Sequence, residues 1–245
     1  MEIFIDLGRY TRLLYEAIRS ATEYRTYWKN LIAEMVKTGF DSLPIVMLAG
    51  VFTGAVLTIQ TSYQLTSPLI PRSTIGAIVS QSTIIELAAV ISGLVLAGRV
   101  GARIATELGT MRVSEQIDAL ESMGFNSVSF LVVPRVLSGI LMFPVLYVAA
   151  ATLGVGGGLL AGILSGTVPI ADFMKGAREY FFAWDIVFGL IKSIVFGFVI
   201  TSVSCYKGFY ASGGAEGVGN ATTNAAVLSC IYVLLADLAL AALLL

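Results

Sequence analysis

Five apolar stretches alternate with more polar connections along the chain, and each is long enough to cross a bilayer as a helix. A spanning helix needs roughly 20 mostly apolar residues. The stretches cover residues 42–64, 76–98, 136–165, 181–205 and 223–245. The third is longer than a perpendicular helix requires, so we expect it to tilt or to extend past the headgroups. The pattern predicts an all-α integral membrane protein with a five-helix transmembrane domain over residues 42–245.

Residues 1–41 have the periodicity of an amphipathic helix that lies in the membrane interface. Apolar and aromatic residues recur at spacings of three and four, at Leu7, Tyr10, Leu14, Ile18 and Ala21. Charged residues take the other side, at Arg9, Arg12, Glu16 and Arg19. Basic residues interrupt any continuous apolar core here, so we do not expect a cleaved signal peptide. A helix packed on a soluble partner would show the same pattern.

The basic residues predict the orientation of the spans. Eleven Lys and Arg residues fall in the N-terminal segment and in the connections after the second and fourth stretches, against three in the remaining connections. Positively charged connections stay in the cytoplasm. We therefore expect a multi-pass membrane protein with a cytoplasmic N-terminus and, after five spans, a C-terminus on the outer side.

Composition agrees with a membrane protein and excludes several chemistries. The chain is 57% hydrophobic and 13% charged, whereas soluble domains average about 45–50% and about 25%. It contains no histidine, which removes Ser-His and Cys-His nucleophiles and imidazole-bound metals. A net charge of −1 gives no basic footprint for nucleic acid. We expect a protein that is not an enzyme, with no metal or cofactor in this chain.

Four ionisable residues lie inside the apolar stretches: Glu86, Asp185, Lys192 and Asp237. Intramembrane charges are costly unless they are paired or hydrated, so each is a candidate site. Lys192 and Asp237 both fall near the bilayer midplane, and we predict that they form an ion pair with a structural role. The sequence assigns no cation to Glu86. It is either a polar spot in a substrate cavity or a neutral carboxyl held by hydrogen bonds.

Glycine spacing predicts close helix packing in two of the stretches. Gly50 and Gly54 are four residues apart, and glycines recur at the same spacing in the third stretch, at Gly154, Gly158, Gly162 and Gly166. Such rows let helix backbones approach closely. Packing within one chain and packing in a dimer both fit the pattern.

The cytoplasmic connection over residues 99–135 predicts a short helix. Ser114 suits its N-cap, Glu115 and Asp118 suit its positive end, and Gly124 suits the position after its C-cap. A second connection, over residues 207–224, is glycine-rich but has Asn220 and Ala221 where a phosphate loop needs Lys and Ser or Thr. We therefore expect that any ATP hydrolysis requires a separate subunit.

Two long motifs carry a resemblance to a known family. The run AGRVGARIATELGTMRVSEQIDAL (97–120) and the later run GFYASGGAEGVGNATT (208–223) resemble the MlaE family of ABC-transporter permeases. The resemblance implies a homodimer on two copies of a cytoplasmic ATPase that binds the ATP and Mg. It also places the chain in the bacterial inner membrane with its C-terminus in the periplasm, beside a hexamer of MCE-domain proteins, and in some systems it adds a STAS-domain protein. The implied function is transport of phospholipid between the inner and outer membranes, which maintains outer-membrane lipid asymmetry.

The same resemblance implies roles for particular residues. It makes the segment 114–123 a coupling helix that contacts the ATPase through Glu115, Gln116, Asp118, Leu120 and Glu121. It also implies a lipid-binding cavity formed by Leu57, Gln60, Tyr63 and Glu86. The chain departs from the family pattern around Glu86, at Ile85, Ala88 and Ala89, and in the second motif, at Asn220 and Asn224. Ile85 replaces an arginine that could pair with a phosphate, so the headgroup preference stays open.

Two other functions fit the residues. An autonomous proton-coupled secondary transporter would use Glu86, Lys192 and Asp237 as a relay, although five unequal spans do not suggest the inverted repeats of such proteins. A membrane scaffold for a partner complex would need no cavity at all, and neutral replacement of Glu86 would then leave lipid occupancy unchanged.

Overall fold

The computed structural model describes residues 2–20, 24–65 and 69–244, and every regular element within these ranges is helical. Eleven α-helices are joined by short turns and by three π-helical segments. They are α1 (Glu2–Ser20), α2 (Tyr24–Thr38), α3 (Leu43–Gln64), α4 (Ser73–Ser82), α5 (Ala88–Leu96), α6 (Ala102–Val113), α7 (Gln116–Ser122), α8 (Val133–Leu164), α9 (Ile170–Glu179), α10 (Ala183–Phe209) and α11 (Gly214–Leu244).

Five helical stretches are long and apolar enough to cross a membrane, which confirms the predicted number of spans. They run over Trp28–Gln64, Ser73–Val113, Val128–Leu164, Ala183–Phe209 and Gly214–Leu244. Each extends beyond its apolar stretch at one or both ends, because the backbone stays helical into the more polar connections. The connection before the fourth span also contains α9, a short helix that the hydropathy pattern did not predict.

The second span changes helical form twice along its length. π-helical segments at Thr83–Leu87 and Ala97–Gly101 separate α4, α5 and α6, and a third segment at Val128–Val132 opens the next span. A π turn adds a residue to the helix and disturbs the regular pattern of backbone hydrogen bonds, and such turns are frequent at functional sites. The first of these segments contains Glu86.

The contacts group the chain into two compact units, and each of the five spans contributes residues to both. The first unit comprises Met1–Ser42, Leu96–Phe143 and Ile194–Ala236. Its core side chains include Leu13, Ile104, Leu108, Ile117, Phe196 and Ile200. The second unit comprises Leu43–Val95, Pro144–Ser193 and Asp237–Leu245. One of its apolar clusters is formed by Ile75, Val79, Val168 and Phe173.

In the first unit, α1 is helical as predicted but buries a face offset from the expected one. Leu13 is 1% exposed, whereas Ile18 is 75% exposed. The Tyr10 hydroxyl lies 2.8 Å from Ser202 Oγ on α10, and the Tyr10 ring packs edge-on against Tyr206. Packing against α10 therefore buries the face of α1 that contains Leu13, which lies beside the face predicted from the apolar spacing. The side chain of Leu7 and residue 21 lie outside the part of the chain that the structure describes.

In the second unit, the glycine rows allow α3 and α8 to touch through their backbones. A Cβ on Gly54 would overlap the carbonyl oxygen of Gly154, and one on Gly50 would overlap backbone atoms of Ala150. The rows thus serve packing within one chain. Gly166 does not belong to this row, because it follows the end of α8 with a positive φ of 67°.

Candidate functional site

Lys192 lies at the centre of an ion cluster in the second unit. Its side chain is 0% exposed, and its Nζ lies 2.6 Å from Glu86 Oε2 and 2.6 Å from Asp237 Oδ1. The structure thus brings together Lys192 and Asp237, which the sequence pairs, and adds Glu86, to which the sequence assigns no cation. Lys192 donates a hydrogen bond to Glu86. The contact with Asp237 is an ion pair that lacks hydrogen-bond geometry.

The cluster holds two carboxyl groups for one ammonium group. With both carboxylates ionised, its formal charge is −1, and burying such an excess far from water is costly. The two acidic side chains differ in exposure, which is 40% for Glu86 and 16% for Asp237. Lys192 also lies 4.6 Å from the centre of the Phe188 ring, a cation–π distance. Glu86 is therefore the member of the cluster that a ligand or water reaches most easily.

Tyr147 and Gly189 support the π turn that carries Glu86. The Tyr147 hydroxyl donates a hydrogen bond of 2.8 Å to the carbonyl oxygen of Ile84, inside that turn. A Cβ on Gly189 would overlap the Tyr147 phenol, so the glycine makes room for this contact. The sequence does not indicate this role, because a tyrosine or a glycine in an apolar span can pack in many ways. A buried hydroxyl opposite an irregular turn is visible only in three dimensions.

The other three residues of the predicted lipid cavity lie on α3. Leu57 is partly buried and packs against the cluster of Ile75, Val79, Val168 and Phe173. Gln60 and Tyr63 are exposed. Within the described ranges, no hydrogen bond or ion pair joins these three side chains to Glu86. Asp185, the fourth intramembrane charge, is a buried residue in the first turn of α10.

The predicted cytoplasmic helix is present as α7, but its N-terminus differs from the prediction. Ser114 is not the N-cap: it ends α6, and its Oγ donates a 2.7 Å hydrogen bond to the Thr110 carbonyl. Glu115 occupies the N-cap in a left-handed conformation with φ of 59°. Only Ser114 and Glu115 lie between the two helices, so the serine hydroxyl bonds to the end of α6 instead of capping the start of α7. Gly124 follows the C-cap with φ of 83°, as predicted.

The residues predicted to contact an ATPase are mostly on the surface of α7. Glu115, Gln116, Asp118 and Glu121 are exposed, and Leu120 is partly buried. Ile117 is fully buried and anchors the helix. Two of the acidic groups already have partners in the chain. Asp118 Oδ1 lies 2.7 Å from Arg112 Nη1, and Glu121 Oε1 accepts a 2.6 Å hydrogen bond from Ser127 Oγ. The exposed face therefore combines free and internally paired carboxylates.

A second ion cluster joins α2, α6 and α8 in the first unit. Arg103 lies 3.3 Å from Glu34 and 3.1 Å from Glu107, and Arg135 lies 3.2 Å from Glu107. Glu34 and Arg135 are buried. By sequence, Arg103 and Arg135 are only basic residues of a connection. The pair of Arg103 with Glu107 has the local i,i+4 spacing. The approach of both arginines to Glu34, far away on α2, is indicated by no local pattern.

These features define a multi-pass helical membrane protein with a charge cluster inside its spans and a short exposed helix between two of them. The chain belongs to the MlaE permease family, because the family model described as "Permease MlaE" matches residues 31–243.

Named relatives cover nearly the whole chain. A Rickettsia bellii protein named "Probable ABC transporter permease protein" is 39% identical over 95% of this chain and 89% of its own length. The Haemophilus influenzae "Intermembrane phospholipid transport system permease protein MlaE" is 30% identical over 99% of this chain and 93% of its own. The chloroplastic "Protein TRIGALACTOSYLDIACYLGLYCEROL 1" of Arabidopsis thaliana is 37% identical over 88% of this chain and 61% of its own.

Proposed function

We propose that this chain is the permease subunit of an ABC transporter that moves phospholipid between the inner and outer membranes. The observation that carries the proposal is the match to the Haemophilus influenzae protein, which extends over 99% of the chain. A phospholipid-transport permease needs a membrane domain and a means of coupling to an energy source. The five spans and the exposed helix α7 are consistent with both needs.

In the proposed assembly, two copies of the chain bind two cytoplasmic ATPase subunits, which hold the ATP and Mg. A hexamer of MCE-domain proteins lies on the periplasmic side, and in some systems a STAS-domain protein joins the ATPase. The N-terminus is cytoplasmic and the C-terminus periplasmic, in keeping with the distribution of Lys and Arg. Together these partners would maintain the lipid asymmetry of the outer membrane.

The mechanism we propose uses α7 as a lever. The buried side chain of Ile117 anchors α7, while four polar residues stay exposed. Movement of an ATPase bound to those residues would therefore be transmitted through α7 to the residues packed around Ile117. Only two residues separate α7 from α6, which ends the span Ser73–Val113 that also carries Glu86. Closure of the ATPase pair would then shift this span from one of two arrangements to the other. Lipid would bind in a cavity formed by Leu57, Gln60, Tyr63 and Glu86.

Affinity purification of the tagged chain in mild detergent tests this proposal. Mass spectrometry would identify the proteins and lipids that remain bound. We expect an ATPase, an MCE-domain protein and stoichiometric phospholipid. Recovery of the folded chain alone, free of lipid, would overturn the proposal.

The proton-coupled transporter gains one observation from the structure, since Glu86, Lys192 and Asp237 do meet. It is tested with the purified chain alone in liposomes that carry a pH gradient and a pH-sensitive dye. The permease function predicts that the chain does not dissipate the gradient. Dissipation that Glu86→Gln abolishes would favour the alternative and exclude a purely structural role for the cluster.

A further inference from the structure

The second unit contains a cavity whose lining includes no member of the ion cluster and none of the residues of the predicted lipid cavity. We call it the α8–α9 groove. It has a volume of about 470 Å³ and is bordered by the first π turn, α8, the end of α9 and the start of α10. This volume lies in the usual range of small-molecule sites. The residues that the argument uses are Ile84, Tyr147, Val148, Ala151, Arg178 and Phe181.

The walls of this groove suit an apolar occupant, because their polar groups are already satisfied. The Ser80 and Thr152 hydroxyls each donate a 2.8 Å hydrogen bond to a carbonyl of their own helix. The Tyr147 hydroxyl is used by the Ile84 carbonyl. The remaining surface comes mainly from aliphatic side chains and from the exposed ring of Phe181. A polar solute would find few partners here, whereas a hydrocarbon chain loses none.

Arg178 is the one charged residue among those lining the groove. It is exposed in the last turn of α9, and its guanidinium forms no hydrogen bond or ion pair with any residue in the described ranges. A guanidinium group binds phosphate through paired, charge-assisted hydrogen bonds. An unpaired guanidinium beside an apolar groove has the charge and polarity complementary to a phosphate attached to a hydrocarbon chain.

We propose that the α8–α9 groove binds a phospholipid, with one acyl chain along Val148 and Ala151 and the phosphate at Arg178. Free phosphate would use only the arginine and leave the groove empty, so the structure favours the lipid. The site is distinct from the proposed transport cavity, since none of Leu57, Gln60, Tyr63 and Glu86 lines it. Its floor includes Ile84 and Tyr147, so the bound chain would contact the π turn that carries Glu86. The proposal does not require that the chain transports lipid.

Photolabelling of the purified full-length chain tests the site. The probe is phosphatidylethanolamine with a diazirine in one acyl chain, incorporated in phosphatidylglycerol liposomes, and labelled residues are mapped by mass spectrometry. We expect labels on residues 148–155 and 177–186. Val148→Trp fills the groove from an exposed position and should lower this labelling by about fivefold, equivalent to about 1 kcal/mol of binding. Val145→Trp is the matched control, because Val145 is similarly exposed on α8 but does not line the groove.

The arginine is tested with a second pair of variants and a second probe. Arg178→Gln should lower labelling by the phospholipid probe about fivefold, by loss of a charge-assisted contact. Lys175→Gln, on the same helix but outside the groove, should not. A diacylglycerol probe with the same acyl chain should label the groove weakly and be insensitive to Arg178→Gln.

Equal labelling of the groove in Val148→Trp and Val145→Trp, or equal effects of the Arg178→Gln and Lys175→Gln variants, would overturn the proposal. Labelling near residues 57–63 reports on the transport cavity in the same experiment. Absence of labels near residues 57–63, with the groove still labelled, would count against the proposed function and would support the proposed groove site.

Discussion

Lys192 sets the electrostatic requirement of the second unit. A fully buried ammonium group needs a carboxylate beside it, and here it has two. Removing the lysine would leave both carboxyl groups close together without a cation. Removing one carboxyl group would still leave Lys192 paired. The three positions are therefore unequal, and the lysine is the one whose loss is most damaging.

We predict that Lys192→Met lowers the free energy of unfolding by about 3 kcal/mol, the low end for breaking a buried ion pair, because Glu86 is partly solvated. Adding Asp237→Leu should recover part of the loss, and adding Glu86→Gln as well should recover more. Thermal unfolding of the purified variants in detergent measures the order of their stabilities. Lys175→Met, at an exposed position, is the control. A double variant no more stable than Lys192→Met would contradict the pairing with Asp237.

Tyr147 is predicted to stabilise the π turn through its hydroxyl. Tyr147→Phe keeps the ring but leaves the Ile84 carbonyl without this donor, at a cost of about 1–2 kcal/mol for an unsatisfied polar group. The midpoint of thermal unfolding should therefore fall, while Tyr180→Phe, at an exposed position, should leave it unchanged. Hydrogen exchange at residues 83–88 should also increase in Tyr147→Phe only. Unchanged exchange there would show that the turn does not depend on the hydroxyl.

The charges could be predicted from the sequence more easily than their partners. Lys192 and Asp237 stand out because charges are rare in apolar stretches, and their similar depth indicates a pair. Glu86 has the same depth, but the sequence does not show which side of its helix faces α10. The π turn changes that angular relation by a whole residue, so a regular helical projection misplaces it. The contacts of Arg103 and Arg135 with Glu34 are hidden because Glu34 lies on α2, far away along the chain.

The short helix α7 is held at both ends by local structure. Its C-terminus closes with hydrogen bonds from Gly124 to Glu121 and from Phe125 to Leu120, the pair that defines a Schellman motif. Its N-terminus follows a left-handed residue, Glu115, and Asp118 pairs with Arg112 of α6. Because the helix has only seven residues, these contacts and the buried Ile117 must maintain it. The helix is thus held in place while Glu115, Gln116, Asp118 and Glu121 stay exposed.

Charge reversal on α7 should release the ATPase. In the doubly substituted variant Glu115→Lys and Asp118→Lys, we expect the chain to insert normally but to lose ATPase in a pull-down from detergent extracts. Asp118→Lys also breaks the ion pair with Arg112, so Arg112→Gln is the matched control. It breaks the same ion pair while leaving the acidic surface in place, and should keep most of the ATPase. Full retention by the reversed variant would remove the coupling assignment.

The hydropathy pattern predicts the spans well and their internal form poorly. Membrane thickness requires about 20 apolar residues for each crossing, so the number of spans is readable. The extension of the second span to Val113 is not readable, because charged residues occur both within helices and in loops. Its two π-helical segments are not readable either, since hydropathy does not report the form of the helix. The helix α9 is missed since its amphipathic stretch is too short to stand out. The offset face of α1 follows from packing against α10, which periodicity alone does not reveal.

The charge bias predicts the orientation of the chain in the membrane, and cysteine labelling measures it directly. In a Cys230→Ser background, we predict that Glu179→Cys, on α9, reacts with a membrane-impermeant maleimide in intact spheroplasts. Ser122→Cys, on α7, should react only after lysis. Both positions are exposed, and the native Cys205 is buried and should not react. Labelling of position 122 from outside would reverse the topology and remove α7 from contact with any cytoplasmic ATPase.

The surplus carboxylate around Lys192 has a consequence for the order in which the protein is made. A chain emerges from the ribosome N-terminus first, so α10, which carries Lys192, is synthesised before α11, which carries Asp237. Glu86, on a span completed much earlier, is then the carboxylate already present when Lys192 enters the bilayer. Asp237 joins later with the last helix. Of the two carboxylates that pair with Lys192 in the folded chain, one thus precedes it in synthesis and the other follows it.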